Sequence, residues 1–106
     1  MDGEIELVWS PEALDQLSNI FEHIAKDNLE AAKRLVQRLE KLADALVVTP
    51  QIGRIVPEHG RQDLRERIHK ISRRSRYNVR LIYRVLPGKI EIATVWHTSR
   101  QGLPEL

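Results

Sequence analysis

Apolar and polar residues alternate between Glu4 and Trp9, with Ile5, Leu7 and Trp9 on one side and Glu4 and Glu6 on the other. A period of two predicts a first strand with one buried face. The period then lengthens. Ser10-Pro11-Glu12 reads as a helix start: a hydroxyl cap, a proline where no donor is missed, and a carboxylate at the positive end of the dipole. Ala13, Leu17, Ile20, Phe21 and Ile24 follow at helical spacing as far as Lys26-Asp27. Asn28 caps a second predicted helix, striped by Ala32, Leu35, Val36, Leu39, Leu42, Ala43 and Leu46. It ends before Thr49-Pro50, because proline disfavours helix for the residue preceding it. So short a connection makes the two helices an antiparallel hairpin.

Gln51 to Arg61, with Gly53, Pro57 and Gly60, reads as a loop, and Leu64 to Ile71 as a strand. Arg73-Arg74-Ser75-Arg76 turns the chain into a last hairpin, Val79 to Arg100, folded at Pro87-Gly88. If Leu86 and Lys89 flank that turn, Val85 pairs with Ile90, Arg84 with Glu91 and Arg80 with Val95. One face then carries Val79, Leu81, Tyr83, Val85, Ile90, Ile92, Thr94 and Trp96, and needs a cover that the helices can supply. The other carries Arg80, Ile82, Arg84, Glu91, Ala93, Val95 and His97. The expected fold is α+β, one domain over residues 1–106. It comprises an N-terminal strand, an antiparallel helical hairpin and a three-stranded antiparallel meander, with the helices on one sheet face and the first strand joining the sheet.

Composition refines this picture in two ways. There is no cysteine, so disulfides and zinc–thiolate sites are excluded, which mildly favours the cytoplasm. No apolar run approaches the length of a membrane span and no leader precedes the first strand, so neither a span nor a signal peptide is expected. The net charge of +2 conceals a division: residues 1–50 hold five Lys/Arg and ten Asp/Glu, residues 51–106 twelve and five. Between Arg65 and Arg84 there are eight basic residues and a single acid, Glu66. The second half is expected to meet something anionic, nucleic acid or an acidic protein segment.

Arg80-Leu81-Ile82-Tyr83-Arg84-Val85, followed by a strand and by Arg100, resembles the last hairpin of RelE/ParE toxins, the toxic halves of bacterial type II toxin–antitoxin pairs. Trp9-Ser10-Pro11-Glu12-Ala13, Pro50-Gln51-Ile52-Gly53-Arg54 and Leu64-Arg65-Glu66 match in the same order, so the resemblance covers nearly the whole chain. It implies a cytoplasmic toxin of RelE/ParE-like fold, silenced by a cognate antitoxin protein, needing no cofactor or metal and associated with no membrane. A homodimer and a toxin–antitoxin hetero-oligomer are both compatible with it.

The target divides the family. Ribosome-dependent endoribonucleases of the RelE type use arginines matching Arg80 and Arg100 on the scissile phosphate of mRNA, and some use a histidine near the position of His97. On that reading Arg65, Arg67, Arg80, Arg84 and Arg100 form a cationic floor on the open sheet face, and His97 is the acid–base candidate. The bland alternative is a solvated face, with Arg84 paired to Glu91. His23, His59 and His69 have no metal-ligand spacing and are assigned surface roles. The tail after Arg100 has no aromatic residue to stack on a base. With the evenly patterned helical hairpin, this favours the ParE branch, which poisons DNA gyrase without cutting RNA. A basic binding module without toxicity is the third reading. For antitoxin or target binding, the mixed face of Arg65, Arg67, Arg80, Ile82, Arg84, Val95 and Arg100 is the expected surface.

Overall fold

The computed structural model describes residues 4–100 and 102–106. Strand β1 (Glu6–Trp9) leads into helices α1 (Pro11–Ala25) and α2 (Leu29–Leu46). A short β2 (Arg54–Ile55) precedes the meander β3 (Leu64–Lys70), β4 (Asn78–Leu86) and β5 (Lys89–His97). The strands form one sheet in the order β1-β5-β4-β3-β2, with β1 parallel to β5 and the other pairs antiparallel. The α+β architecture expected from the pattern is present, with β2 an addition inside the segment read as a loop.

Both helices begin as their caps dictate. Ser10 Oγ accepts the Ala13 N–H at 3.0 Å, and Asn28 Oδ1 accepts the Ala31 N–H at 3.0 Å. Ser10 does a second job by donating its hydroxyl to the Ala93 carbonyl at 2.9 Å, so the start of α1 is fastened to β5. The helices share one cluster with one face of the sheet, in which Leu35, Leu39, Ala43 and Leu46 meet Val79, Leu81, Tyr83, Ile90 and Ile92. Leu39 and Leu46 are wholly buried, and Leu42 is partly buried against the same cluster. The Tyr83 hydroxyl closes this core at its loop end, donating to the Pro50 carbonyl at 2.8 Å and accepting the Gly53 N–H at 2.9 Å.

The last hairpin departs from the simple register. Leu86 pairs with Lys89, Val85 with Ile90, Arg84 with Glu91 and Tyr83 with Ile92, as a two-residue turn with Gly88 at φ 67° requires. Ile82, however, pairs with Thr94, leaving Ala93 as an extra residue in β5. A bulge of this kind inverts the facing of everything beyond it. Arg80 therefore pairs with Trp96 rather than Val95, and Val95 pairs with Leu81 inside the helix-covered core. Trp96 crosses to the opposite face and joins Val56, Leu64 and Ile82 in a second cluster, over which Leu103 and Leu106 lie. The Ser10–Ala93 hydrogen bond holds the bulge, since this is where β1 ends and β5 loses its outer neighbour. Beyond that point the β5 edge is completed by Gln16 of α1, whose Oε1 accepts the Val95 N–H at 2.7 Å and the Thr94 hydroxyl at 2.6 Å.

Candidate functional site

The arginines expected to form one floor are divided between the two faces and largely paired. Arg80 projects with Ile82 on the face away from the helices. Its Nε donates to Glu66 Oε1 at 2.5 Å, and its two terminal nitrogens form a fork on Glu58 at 2.8 Å each. Glu66 is fully buried and accepts Arg54 Nε at 2.7 Å on its other oxygen. The Arg80 hydrogen bond is the chief cause that holds the Glu58 carboxyl down at about 2 instead of the usual 4.5. In return the glutamates raise the Arg80 guanidinium, Glu58 most of all, and it keeps its charge at any ordinary pH. With every guanidinium nitrogen engaged and 13% of the side chain exposed, Arg80 has no free fork for a phosphate. It is a structural ion pair.

Arg84 pairs across the strands with Glu91 at 2.6 Å. Arg65 and Arg67 stand opposite Tyr83 and Leu81 in register, so they share the parity of the helix-covered face and cannot lie beside Arg80. Arg65 is used locally, donating to the Gly53 carbonyl at 3.0 Å and to Gln62. Two further members of the expected surface are not on the surface. Ile82 lies under Leu103 and Leu106, and Val95 lies beneath the helices. An exposed patch combining Arg80 with Ile82 and Val95 is therefore absent: the bulge removes Val95 and the tail covers Ile82.

Arg100 and His97 do come together. They line a groove of about 450 Å³ between the C-terminal half of α1, the end of β5 and the turn through Ser75. Ile20, Ile24, Ile71 and Val95 contribute apolar wall, while His23 and Asn19 enter from α1. The Arg100 guanidinium stacks over the ring of Trp96, a residue of the opposite sheet face, at 4.5 Å. The His97 Nδ1 accepts the Ser99 N–H at 3.1 Å, with the Ser99 hydroxyl 2.6 Å away. The neutral ring must accordingly carry its proton on Nε2. Burial, and secondarily His23, lowers the His97 pKa, so the ring is neutral at physiological pH. Tyr77 packs on the same ring at 5.4 Å between centroids.

Sequence reasoning missed three groups here. Glu66 carried a signal, being the one acid in a basic run, whereas Glu58 sits in a loop whose approach to Arg80 no pattern announces. His23, read as a plain surface residue, faces the groove. His59 and His69 also depart from a plain surface role, since each has a buried Nε2 with no hydrogen-bond partner. Burial, and to a lesser extent Arg38, lowers the His69 pKa.

Among the described residues no helix is long and apolar enough to cross a membrane. A comparison with curated proteins finds no match. Among solved structures, the chromosomal ParDE toxin–antitoxin system from P. aeruginosa is similar in fold, with a TM-score of 0.62 and 20% identity. The match covers 89% of this chain and 96% of that one. Residues 7–102 match the family described as the ParE toxin of the type II toxin–antitoxin system, parDE. That span takes in both helices and the whole sheet except Glu6, and so the chain belongs to the ParE toxin family.

Proposed function

We propose that this protein is a non-enzymatic poison of DNA gyrase, held silent by a cognate antitoxin. The observation that carries the reading is the separation of the residues an endoribonuclease would need. Cleavage of RNA requires an acid, a base and a charge stabiliser within hydrogen-bond reach of one phosphate. Arg80 is occupied by Glu58 and Glu66 on one face of the sheet, while His97 pairs with Val79 on the other. Trp96, which pairs with Arg80 across the strands, is covered by the tail and by Arg100. Membership of the ParE family supports the same conclusion, because the resemblance to the ParE branch implies gyrase as the target. The excess of positive charge in residues 51–106 suits a partner that holds DNA, and an acidic antitoxin that competes for that surface.

Induction of the protein in growing bacteria tests the proposal. The expected first response is DNA-damage signalling and loss of DNA supercoiling, with transcripts intact. Codon-phased cuts in translated mRNA, appearing before any DNA damage, would overturn it in favour of the endoribonuclease reading. The proximity of Arg100 and His97 is the observation that keeps that second reading in view.

A further inference from the structure

The seam between α2 and β3 carries positive charge that the fold leaves unpaired. Helix α1 sits over β5, where Gln16 meets Thr94 and Val95, and α2 packs Leu35, Leu39 and Leu46 with Leu81 and Tyr83 of β4. Strand β3 is the next one outward, and its Arg67 and Arg65 stand beside Leu81 and Tyr83 on the helix-covered face. The flank of α2 that overhangs them is marked by Arg38, whose charge reaches His69 of β3. Arg34 and Lys41, one turn to either side of Arg38, share that flank. These three side chains are exposed and Arg67 is partly so. In contrast to Arg54, Arg61, Arg80 and Arg84, none of the four forms an ion pair among the described residues. Acids lie only at the margins. Glu30 and Asp44 stand at the two ends of the helical row, with Glu30 held by Lys33, and Asp63 is held by Arg61. Glu66 is buried with Arg80 on the opposite sheet face.

We propose that Arg34, Arg38, Lys41 and Arg67 form a contact for the phosphate backbone of duplex DNA, the DNA that the target holds. This rests on the gyrase reading for the source of the DNA and adds to it the surface that meets it. From Arg34 to Lys41 the helix rises roughly 10 Å, a length over which duplex DNA carries about six phosphates. Cations spaced along such a row, on two rigid elements, match a repeating charge. Three of them are arginines whose planar forks suit phosphate oxygens. Along this band, from Arg34 to Lys41 and on the helix side of β3 from Arg65 to His69, there is no exposed large apolar side chain. An amphipathic peptide finds nothing apolar to bury there, and a single-stranded nucleic acid finds no aromatic ring to stack on. A duplex backbone needs neither. His69, neutral at physiological pH, adds no charge, and Arg65 extends the band while it also holds Gly53 and Gln62.

The test titrates the full-length toxin into a fluorescently labelled DNA duplex of mixed sequence and reads anisotropy over a salt series. One variant combines Arg34→Gln, Arg38→Gln and Lys41→Gln at exposed helical positions, and a second is Arg67→Gln alone. The control, Lys26→Glu with Lys89→Glu, changes the net charge by more than the triple variant does, but after α1 and at the start of β5, away from the seam. The proposal expects binding that weakens with salt and a tenfold or greater rise in Kd for the triple variant. The slope of log K against log salt should flatten by about one for Arg67→Gln, and the control should stay within twofold of the native protein. The triple variant should likewise need a tenfold higher dose to inhibit supercoiling by gyrase. Native affinity in the triple variant, or no duplex binding by the native toxin, overturns the proposal, and the gyrase reading stands if the native toxin still blocks supercoiling. Duplex binding that the triple variant loses, with gyrase unimpaired by the native toxin, upholds the DNA contact and overturns the gyrase reading. Preference for an RNA duplex over the DNA duplex, lost in the triple variant, overturns the proposal and reassigns the band to RNA.

Discussion

Arg80 and Glu66 meet across strands β4 and β3, with Arg80 Nε 2.5 Å from Glu66 Oε1 and the carboxylate wholly withdrawn from solvent. The second oxygen of Glu66 holds Arg54, and the outer fork of Arg80 holds Glu58. The pair thus joins β2, β3, β4 and the loop after β2 on the face that the helices do not cover. Within the Arg80-Leu81-Ile82-Tyr83-Arg84-Val85 stretch, Arg80 is engaged by two carboxylates of its own chain.

Removing one partner of a buried pair strands the other. Glu66→Ala is expected to lower the unfolding free energy by about 3–5 kcal/mol. In a double-mutant cycle, Glu66→Ala with Arg80→Ala should cost less than the sum of the single changes, since neither charge is then left alone. Urea unfolding checks both expectations, and strict additivity would show that the pair is not coupled.

Glu58 predicts an acid limb. Its folded pKa, about 2, lies below the usual 4.5 because Arg80 donates to the ionised form. Between those values the unfolded chain binds more protons, so the stabilisation is present above about pH 4.5 and is lost as pH falls toward 2. The Glu58 side chain is 45% exposed, so the effect is small and screened by salt. A stability–pH profile of Glu58→Gln should be flatter than the native one in that window only.

Gly53 and Tyr83 make a joint that tolerates little. A Cβ on Gly53 would lie 2.5 Å from the Glu66 carbonyl oxygen and 2.6 Å from the Tyr83 hydroxyl. Gly53→Ala must therefore displace backbone. Tyr83→Phe leaves the Gly53 N–H and the Pro50 carbonyl without a partner, at a cost of about 1–3 kcal/mol. Thermal unfolding should rank both below the native protein.

Leu39, fully buried between the helices and the sheet, gives the test of the core. Leu39→Ala is expected to cost about 2–5 kcal/mol by denaturant unfolding. A change below 1 kcal/mol would show that the stripe on α2 does not pack as described.

How far the sequence foretold this differs between elements, for physical reasons. Ser10-Pro11 and Asn28 announce both helix starts, and Pro87-Gly88 fixes the hairpin register as far as Ile92, because these signals are local. The bulge at Ala93 is not local: it depends on Ser10 reaching the Ala93 carbonyl from a residue 83 positions away in the chain. The bulge and the tail together account for the displacement of Val95, His97 and Ile82, whereas Arg65 and Arg67 are parted from Arg80 by the β3–β4 register. Val95 and His97 exchange faces with Trp96, and Leu103 and Leu106 cover Ile82, a contact that a tail without pattern does not advertise. The arginines were visible as charges and Arg84 was matched to Glu91 by the hairpin register, but the partners of Arg80 and Arg54 were not legible, since Glu58 and Glu66 could be matched to several arginines. The meeting of His97 with Arg100 was legible from their nearness in sequence, and the presence of His23 beside them required the packing of α1 on β5.

The central claim is that this protein acts by holding gyrase and not by cutting RNA. Its most direct test incubates the purified toxin with DNA gyrase, ATP and relaxed plasmid, and in parallel with a translating extract. The account predicts dose-dependent loss of supercoiling with accumulation of gyrase-linked DNA breaks, reversed by the antitoxin, and intact mRNA in the extract. Unimpaired supercoiling, alongside mRNA cut within codons in the translating extract, would contradict it.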